Sequence, residues 1–179
     1  MRLIYGKTDE ICSDESALGR SLLMEVLRNE GISATAEDVV KDSLGKPYLS
    51  DRMGVEFNIT HKSGFVACIL SVGEGRVGID AEPSEGALRV SHVERFSKKY
   101  FSENEIDALK LKIRGFSEIW TRKEAYLKML GCGIGKEISK FDTEDAESVC
   151  FKTFYIDGFT VTVAAEQEAE ISLTERKIG

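Results

Sequence analysis

Three apolar runs in close succession, Phe57–Thr60, Phe65–Val72 and Arg76–Asp80, constrain the fold of this chain more than any other feature. Gly64, Gly73 and Gly75 break them apart, and the runs read as successive strands. Helical spacing flanks them on both sides. Leu18, Leu22, Leu23, Val26 and Leu27 fall on one face of a helix over Ser16–Arg28, with Gly31 as the stop. Arg2–Tyr5 ahead of it reads as a first strand. Val39–Leu44 reads as a short one, followed by a turn at Gly45-Lys46-Pro47.

The second half changes character. Val90–Tyr100 reads as a helix. Ser102-Glu103-Asn104-Glu105 is a capping box, so the next helix starts there and runs to about Lys112. Ser117 is placed to cap a further helix through Leu130, and Gly131 ends it. Three strands close the chain, Val149–Ile156, Phe159–Ala165 and Glu170–Leu173, with Asp157-Gly158 as a hairpin turn between the first two. Each half therefore mixes strands with helices. The expectation is an α+β fold of two halves joined near Gly78.

Length and composition permit this. The chain has 179 residues, 42% of them apolar, enough for one domain or two small ones sharing a core. No signal-peptide pattern opens the sequence, and no run approaches the roughly 18 apolar residues that span a membrane. A soluble, cytoplasmic protein is expected. The four cysteines, Cys12, Cys68, Cys132 and Cys150, form no CxxC pair and read as small, mostly buried residues rather than as zinc ligands or disulfides. The net charge of −7 argues against general nucleic-acid binding. Locally, Arg95–Lys128 holds nine Lys/Arg against five Asp/Glu, a basic stretch suited to an anionic partner or simply to a solvated helix.

Three segments carry chemistry. In Val77-Gly78-Ile79-Asp80-Ala81-Glu82, an extended backbone points Asp80 and Glu82 to one face. Paired carboxylates repel unless a cation sits between them, and hard oxygen ligands suit magnesium beside substrate phosphates. Two exposed acids at a strand end would give the same pattern. In Trp120-Thr121-Arg122-Lys123-Glu124-Ala125-Tyr126-Leu127-Lys128, Trp120, Glu124 and Lys128 share a helix face. Glu124 could join the metal or act as a base there, and Lys128 could hold a phosphate. An ordinary surface ion pair is the bland alternative. In Phe57-Asn58-Ile59-Thr60-His61-Lys62, a strand end offers a hydroxyl, an imidazole and an ammonium to a phosphate. His92 stands on a helix with no supporting partner and is assigned no role.

Together these motifs are more specific than apart. Gly-Ile-Asp-x-Glu, a gap of roughly forty residues, then Trp-x-x-Lys-Glu-Ala-x-x-Lys resembles the signature of the 4′-phosphopantetheinyl transferase superfamily. The upstream Asn-x-Thr-His and Gly-Lys-Pro elements resemble its longer, monomeric Sfp-type members. The resemblance implies two similar α+β halves about a pseudo-two-fold axis, with the active site between them. Residues 1–78 would then bind coenzyme A, and 79–179 would carry the metal and catalytic motifs. It implies magnesium, or manganese in its place, on Asp80, Glu82 and Glu124. Glu124 and Lys128 become the catalytic pair, and Lys123 a phosphate contact. Thr60 and His61 match the contact to the 3′-phosphate, and Lys46 matches a coenzyme-binding lysine. The implied partners are coenzyme A and an apo acyl or peptidyl carrier protein, with no nucleic acid and no membrane.

The sequence departs from that pattern at its amino-terminal end, which is short and acidic (Asp9, Glu10, Asp14, Glu15). Reading of the 3′-phosphate then falls on Arg20, Lys46, His61 and Lys62. Two other functions use the same residues: a metal-dependent phosphohydrolase of nucleotide pyrophosphates, and a non-catalytic module that binds coenzyme A or a carrier.

Overall fold

The first strand, β1 (Arg2–Lys7), leads into α1 (Glu15–Asn29), whose N-terminus is capped by Asp14 through its side chain to the Ala17 amide at 2.8 Å. A ribbon of β2 (Val39–Lys41) and β3 (Pro47–Leu49) follows, then β4 (Val55–Lys62), β5 (Phe65–Val72) and β6 (Val77–Pro83). Next come α2 (Val90–Tyr100), α3 (Glu103–Lys110) and α4 (Phe116–Leu130), and finally β7 (Cys150–Ile156), β8 (Phe159–Ala165) and β9 (Ser172–Lys177). This computed structural model describes residues 1–8, 14–50, 54–84, 90–132 and 138–177; Asp9, Glu10 and Cys12 lie outside them. None of its helices is long and apolar enough to cross a membrane.

The strands form a four-stranded sheet in the order β4-β5-β1-β9, a three-stranded antiparallel sheet β6-β8-β7, and the small β2-β3 ribbon. The fold is α+β. Strand alternation explains how it layers. On β5, Phe65, Ala67 and Ile69 meet Val77, Ile79, Val161 and Val163 of the second sheet, with Phe65 and Phe159 stacked at 4.8 Å. On its other face, Val66, Cys68 and Leu70 pack under Leu22, Leu23, Val26 and Leu27 of α1. The outer face of the second sheet is covered by α4 through Ala125 and Met129. Two sheets thus lie back to back, with one helix on each outer face.

Several expectations shift. Val39–Leu44 stops as a strand at Lys41, because the Asp42 carboxylate accepts from the Leu44 and Lys46 amides, each at 2.9 Å, and folds a turn. That turn returns the chain as β3, which the sequence pattern did not announce. Gly115, not Ser117, is the N-cap of α4; Ser117 lies in the first turn and donates instead to the Pro83 carbonyl at 3.0 Å. The last strand is Ser172–Lys177, and it pairs parallel with β1 rather than with its sequence neighbours. Cys68 is buried, whereas Cys132 and Cys150 are half-buried, and all three are free thiols.

Two close contacts set the position of β6. β6 is an edge strand of its sheet, and the buried Asn58 side chain of β4 accepts from its Ile79 amide at 3.1 Å, supplying the partner a neighbouring strand would provide. At Gly78 the backbone of β6 lies against α4: a Cβ there would stand 2.1 Å from the Ala125 carbonyl oxygen and 2.5 Å from the Met129 amide. Backbone atoms inside a helix cannot yield as a side chain can. Gly78→Ala is therefore expected to displace α4 and to cost about 3 kcal/mol or more, read as a fall of ~6–12 °C in thermal melting. An unchanged melting temperature would show that α4 has room to move.

Candidate active site

The alternation that buries Val77, Ile79 and Ala81 between the sheets turns Gly78, Asp80 and Glu82 toward α4. Helix α4 runs along β6, with Ser117 at Pro83 and Ala125 and Met129 at Gly78. The neighbouring helical row, Trp120, Glu124 and Lys128, is thereby set beside the two strand carboxylates. All five line one cleft of about 1320 Å³, and Thr60, His61 and Lys62 from the end of β4 complete that side of it.

The charges inside are tightly arranged. Lys128 Nζ lies 2.7 Å from Asp80 Oδ1 and 3.3 Å from Thr60 Oγ1. Asp80 is 6% exposed, and its Oδ2 has no hydrogen-bond partner among the described residues. Burial pushes the Asp80 carboxyl above its ordinary range, against the pull of Lys128. Glu82 pairs with Lys62 at 3.0 Å. Burial raises the Glu124 carboxyl to about 7; the charges of Asp80 and Glu82 add to the rise, and Lys128 opposes it.

A buried orphan oxygen on Asp80, and strand acids whose charges help push the Glu124 carboxyl up, suit a hard divalent cation chemically. Among the described residues, however, no three His, Cys, Asp or Glu side chains are gathered closely enough to hold an ion as they stand. Lys128 meets one oxygen of Asp80 and Lys62 one oxygen of Glu82 instead.

The remaining residues singled out in the sequence stand elsewhere. Lys123 is fully buried, pairing with Glu105 at 2.8 Å and donating to the carbonyls of Ile138 and Phe141. One residue along a helix rotates the side chain about 100°, so Lys123 points away from Glu124 and the cleft. Lys46 reaches the C-terminus of α4, donating to the Met129 carbonyl at 2.9 Å. Arg20, exposed on α1, bonds Ser16 at 2.9 Å and does not line the cleft. The basic stretch of Arg95–Lys128 is not one surface either: Arg122 and Lys123 are buried, and Arg114 bridges Glu118 and Glu144.

The opposite wall of the cleft was legible in the sequence only as a helix opening a basic stretch, not as part of the site. It is α2, which presents His92, Arg95, Phe96, Lys99 and Tyr100. Phe96 stands edge-on to Trp120 at 4.7 Å and against Tyr100 at 4.5 Å. The signal was available: His92, Arg95 or Phe96, and Lys99 recur at helical spacing.

Residues 76–173 match the model of the 4′-phosphopantetheinyl transferase superfamily. Among curated proteins, the chain is 31% identical over 147 residues to 4′-phosphopantetheinyl transferase gsp of Aneurinibacillus migulanus, which covers 74% of this chain and 58% of the relative. It is 34% identical over 143 residues to HetI of Nostoc sp., covering 72% and 58%. To Sfp of Bacillus subtilis it is 27% identical over 141 residues, covering 68% and 59%. The chain thus spans under two thirds of the length of each of these three relatives.

Two outcomes follow from the electrostatics. An acid whose folded pKa is near 7, against an ordinary 4.5, binds more protons folded than unfolded between those values. Stability is then lost as pH rises from about 4.5 to about 7. Glu124→Gln has no charge to bury, so without divalent cations it should melt ~2–5 °C above wild type at pH 8, with the difference vanishing below about pH 4.5. Identical melting at pH 8 would show Glu124 to be well solvated. Lys123→Met leaves Glu105 buried without its cation and should cost about 3–5 kcal/mol in denaturant unfolding. A phosphate-binding lysine in open solvent would instead change little.

Proposed function

Because this chain belongs to the 4′-phosphopantetheinyl transferase superfamily, we propose that it transfers 4′-phosphopantetheine from coenzyme A to a serine of an apo acyl or peptidyl carrier protein. The observation that carries this reading is the convergence of Asp80, Glu82, Glu124 and Lys128 in one cleft, all inside the segment that matches the superfamily. The back-to-back sheets, each covered by a helix, support a pseudo-two-fold relation between the halves. Both walls of the cleft come from one chain, which supports a monomer working in the cytoplasm, where coenzyme A and carrier proteins are found. Fatty-acid, polyketide and nonribosomal-peptide carriers all fit.

In the proposed reaction the serine oxygen attacks the β-phosphorus of the coenzyme A pyrophosphate. The bond to the bridging oxygen breaks, and 3′,5′-ADP leaves. Magnesium, or manganese in its place, held by Asp80, Glu82 and Glu124, supplies charge neutralisation for the pyrophosphate when bound. Glu124, a carboxyl poised near neutrality and next to both the strand acids and Lys128, takes the serine proton directly or through a water. Lys128, released from Asp80, reaches the departing phosphate and offsets its growing charge. The aromatic wall of Phe96, Tyr100 and Trp120 keeps water off the reacting groups. Arg95 and Lys99 on the same wall present positive charge to an acidic carrier.

Release of 3′,5′-ADP, followed by chromatography with and without apo carrier protein in magnesium, tests the reading. Wild type should release it only with carrier present, and the carrier should gain the phosphopantetheine mass. Glu124→Gln should lose more than the roughly 10²–10⁴-fold that follows loss of a general base alone. Asp80→Ala should be inactive while remaining folded by circular dichroism. Release at the same rate without carrier would identify a phosphohydrolase, and no release at all would identify a binding module.

A further inference from the structure

Glu15, in the first turn of α1, occupies a position that an external anion could fill. One carboxylate oxygen lies 2.6 Å from the Gly64 amide, and the other lies 3.1 Å from His61 Nδ1. The Ser63-Gly64 turn between β4 and β5 has φ values of 50° and 83°, a conformation that turns the Gly64 amide away from the hairpin ladder and toward α1. An outward-facing amide beside an imidazole is a small anion cradle. Here the chain's own carboxylate sits in it, only 18% exposed.

The other polar groups at this end are engaged as well. Lys62 is held by Glu82 at 3.0 Å. The Thr60 hydroxyl lies 3.4 Å from Asp80 Oδ1 and 3.3 Å from Lys128 Nζ, directed into the carboxylate cluster rather than toward His61. A phosphate monoester arriving at His61 therefore has to displace Glu15 from Nδ1 or take Nε2 of the same ring beside it, and the two neighbouring anions repel.

We infer that Glu15 is a specificity-determining residue: an internal anion that fills the cradle of His61 and Gly64, so that the cleft takes coenzyme A with or without its 3′-phosphate. The inference rests on the reading of the cleft as a coenzyme A site with the 3′-phosphate at His61. It reverses the simpler expectation that His61 makes the 3′-phosphate a requirement. Glu15 touches no reacting atom. It acts on the substrate through the cradle it fills.

Isothermal calorimetry with coenzyme A and dephospho-coenzyme A, on the whole chain in magnesium, tests it. Wild type should bind the two forms within about threefold of each other. Glu15→Gln keeps an acceptor for the Gly64 amide but removes the charge, and Glu15→Ala empties the cradle. Each should tighten coenzyme A about tenfold, the scale of one charge-assisted hydrogen bond, and leave dephospho-coenzyme A unchanged. Thermal melts identify any loss of α1 docking in the alanine variant, and the glutamine variant then carries the comparison. A wild-type preference of about thirtyfold or more for coenzyme A overturns the inference. So does a preference that neither variant alters, while the coenzyme reading survives in both cases. Failure of the coenzyme reading looks different: neither nucleotide binds wild type or variants, and both conclusions fall.

Discussion

At Gly78 the backbone of an edge strand and the backbone of a helix come closer than any side chain between them would allow, and the cleft depends on that approach. Asp80 and Glu82 on β6 and Glu124 on α4 line one cleft. Removing the side chain at Gly78 brings the row next to Ala125 and Met129 down beside the strand. The same contact sets α4 against β6 through backbone atoms as well as through the packing of Ala125 and Met129. Thr121 and Thr162 lock it further along at 2.7 Å, oxygen to oxygen, and Lys46 holds its C-terminal end through the Met129 carbonyl.

Burial and charge are then balanced on both sides of α4. On the cleft side, Asp80, Glu82 and Glu124 line the cleft, with Lys128 paired to Asp80 and Lys62 to Glu82. On the other side, Lys123 and Glu105 are both fully buried and paired. Glu105 also accepts from Ser102 in the capping box and from the amide and hydroxyl of Thr143. One carboxylate thus starts α3, neutralises α4 and ties down the segment before β7. Two adjacent residues of one helix divide the work: Lys123 holds the helix in place so that Glu124 is available to the cleft.

The acid-rich amino-terminal end gives the site its own character. Glu15 anchors α1 to the β4–β5 hairpin and sits on His61, so the same carboxylate that helps dock the first helix also modifies the electrostatics of the cleft's edge. Packing and ligand preference are coupled there through a single side chain.

The sequence alone determined most of the elements, because they are written in local periodicity and punctuation. The capping box at Ser102, the Gly131 stop and the Asp157-Gly158 turn, both residues at positive φ, act within a few residues of themselves. It also determined which carboxylates share a face, since period two on β6 and period 3.6 on α4 leave no choice. Tertiary structure decided what local rules do not contain. The parallel pairing of β9 with β1 joins residues about 170 apart, and the exposed, polar β9 has no apolar alternation to declare its partner. Lys123, read from its motif as a phosphate contact, is turned into the interior by the helical rotation between it and Glu124, and Glu105 from another helix, with the Ile138 and Phe141 carbonyls, makes that burial tolerable. Lys46 and Arg20 carry charge that sequence cannot aim. Their partners, and the α2 wall opposite the carboxylates, exist only once the two sheets have closed on each other.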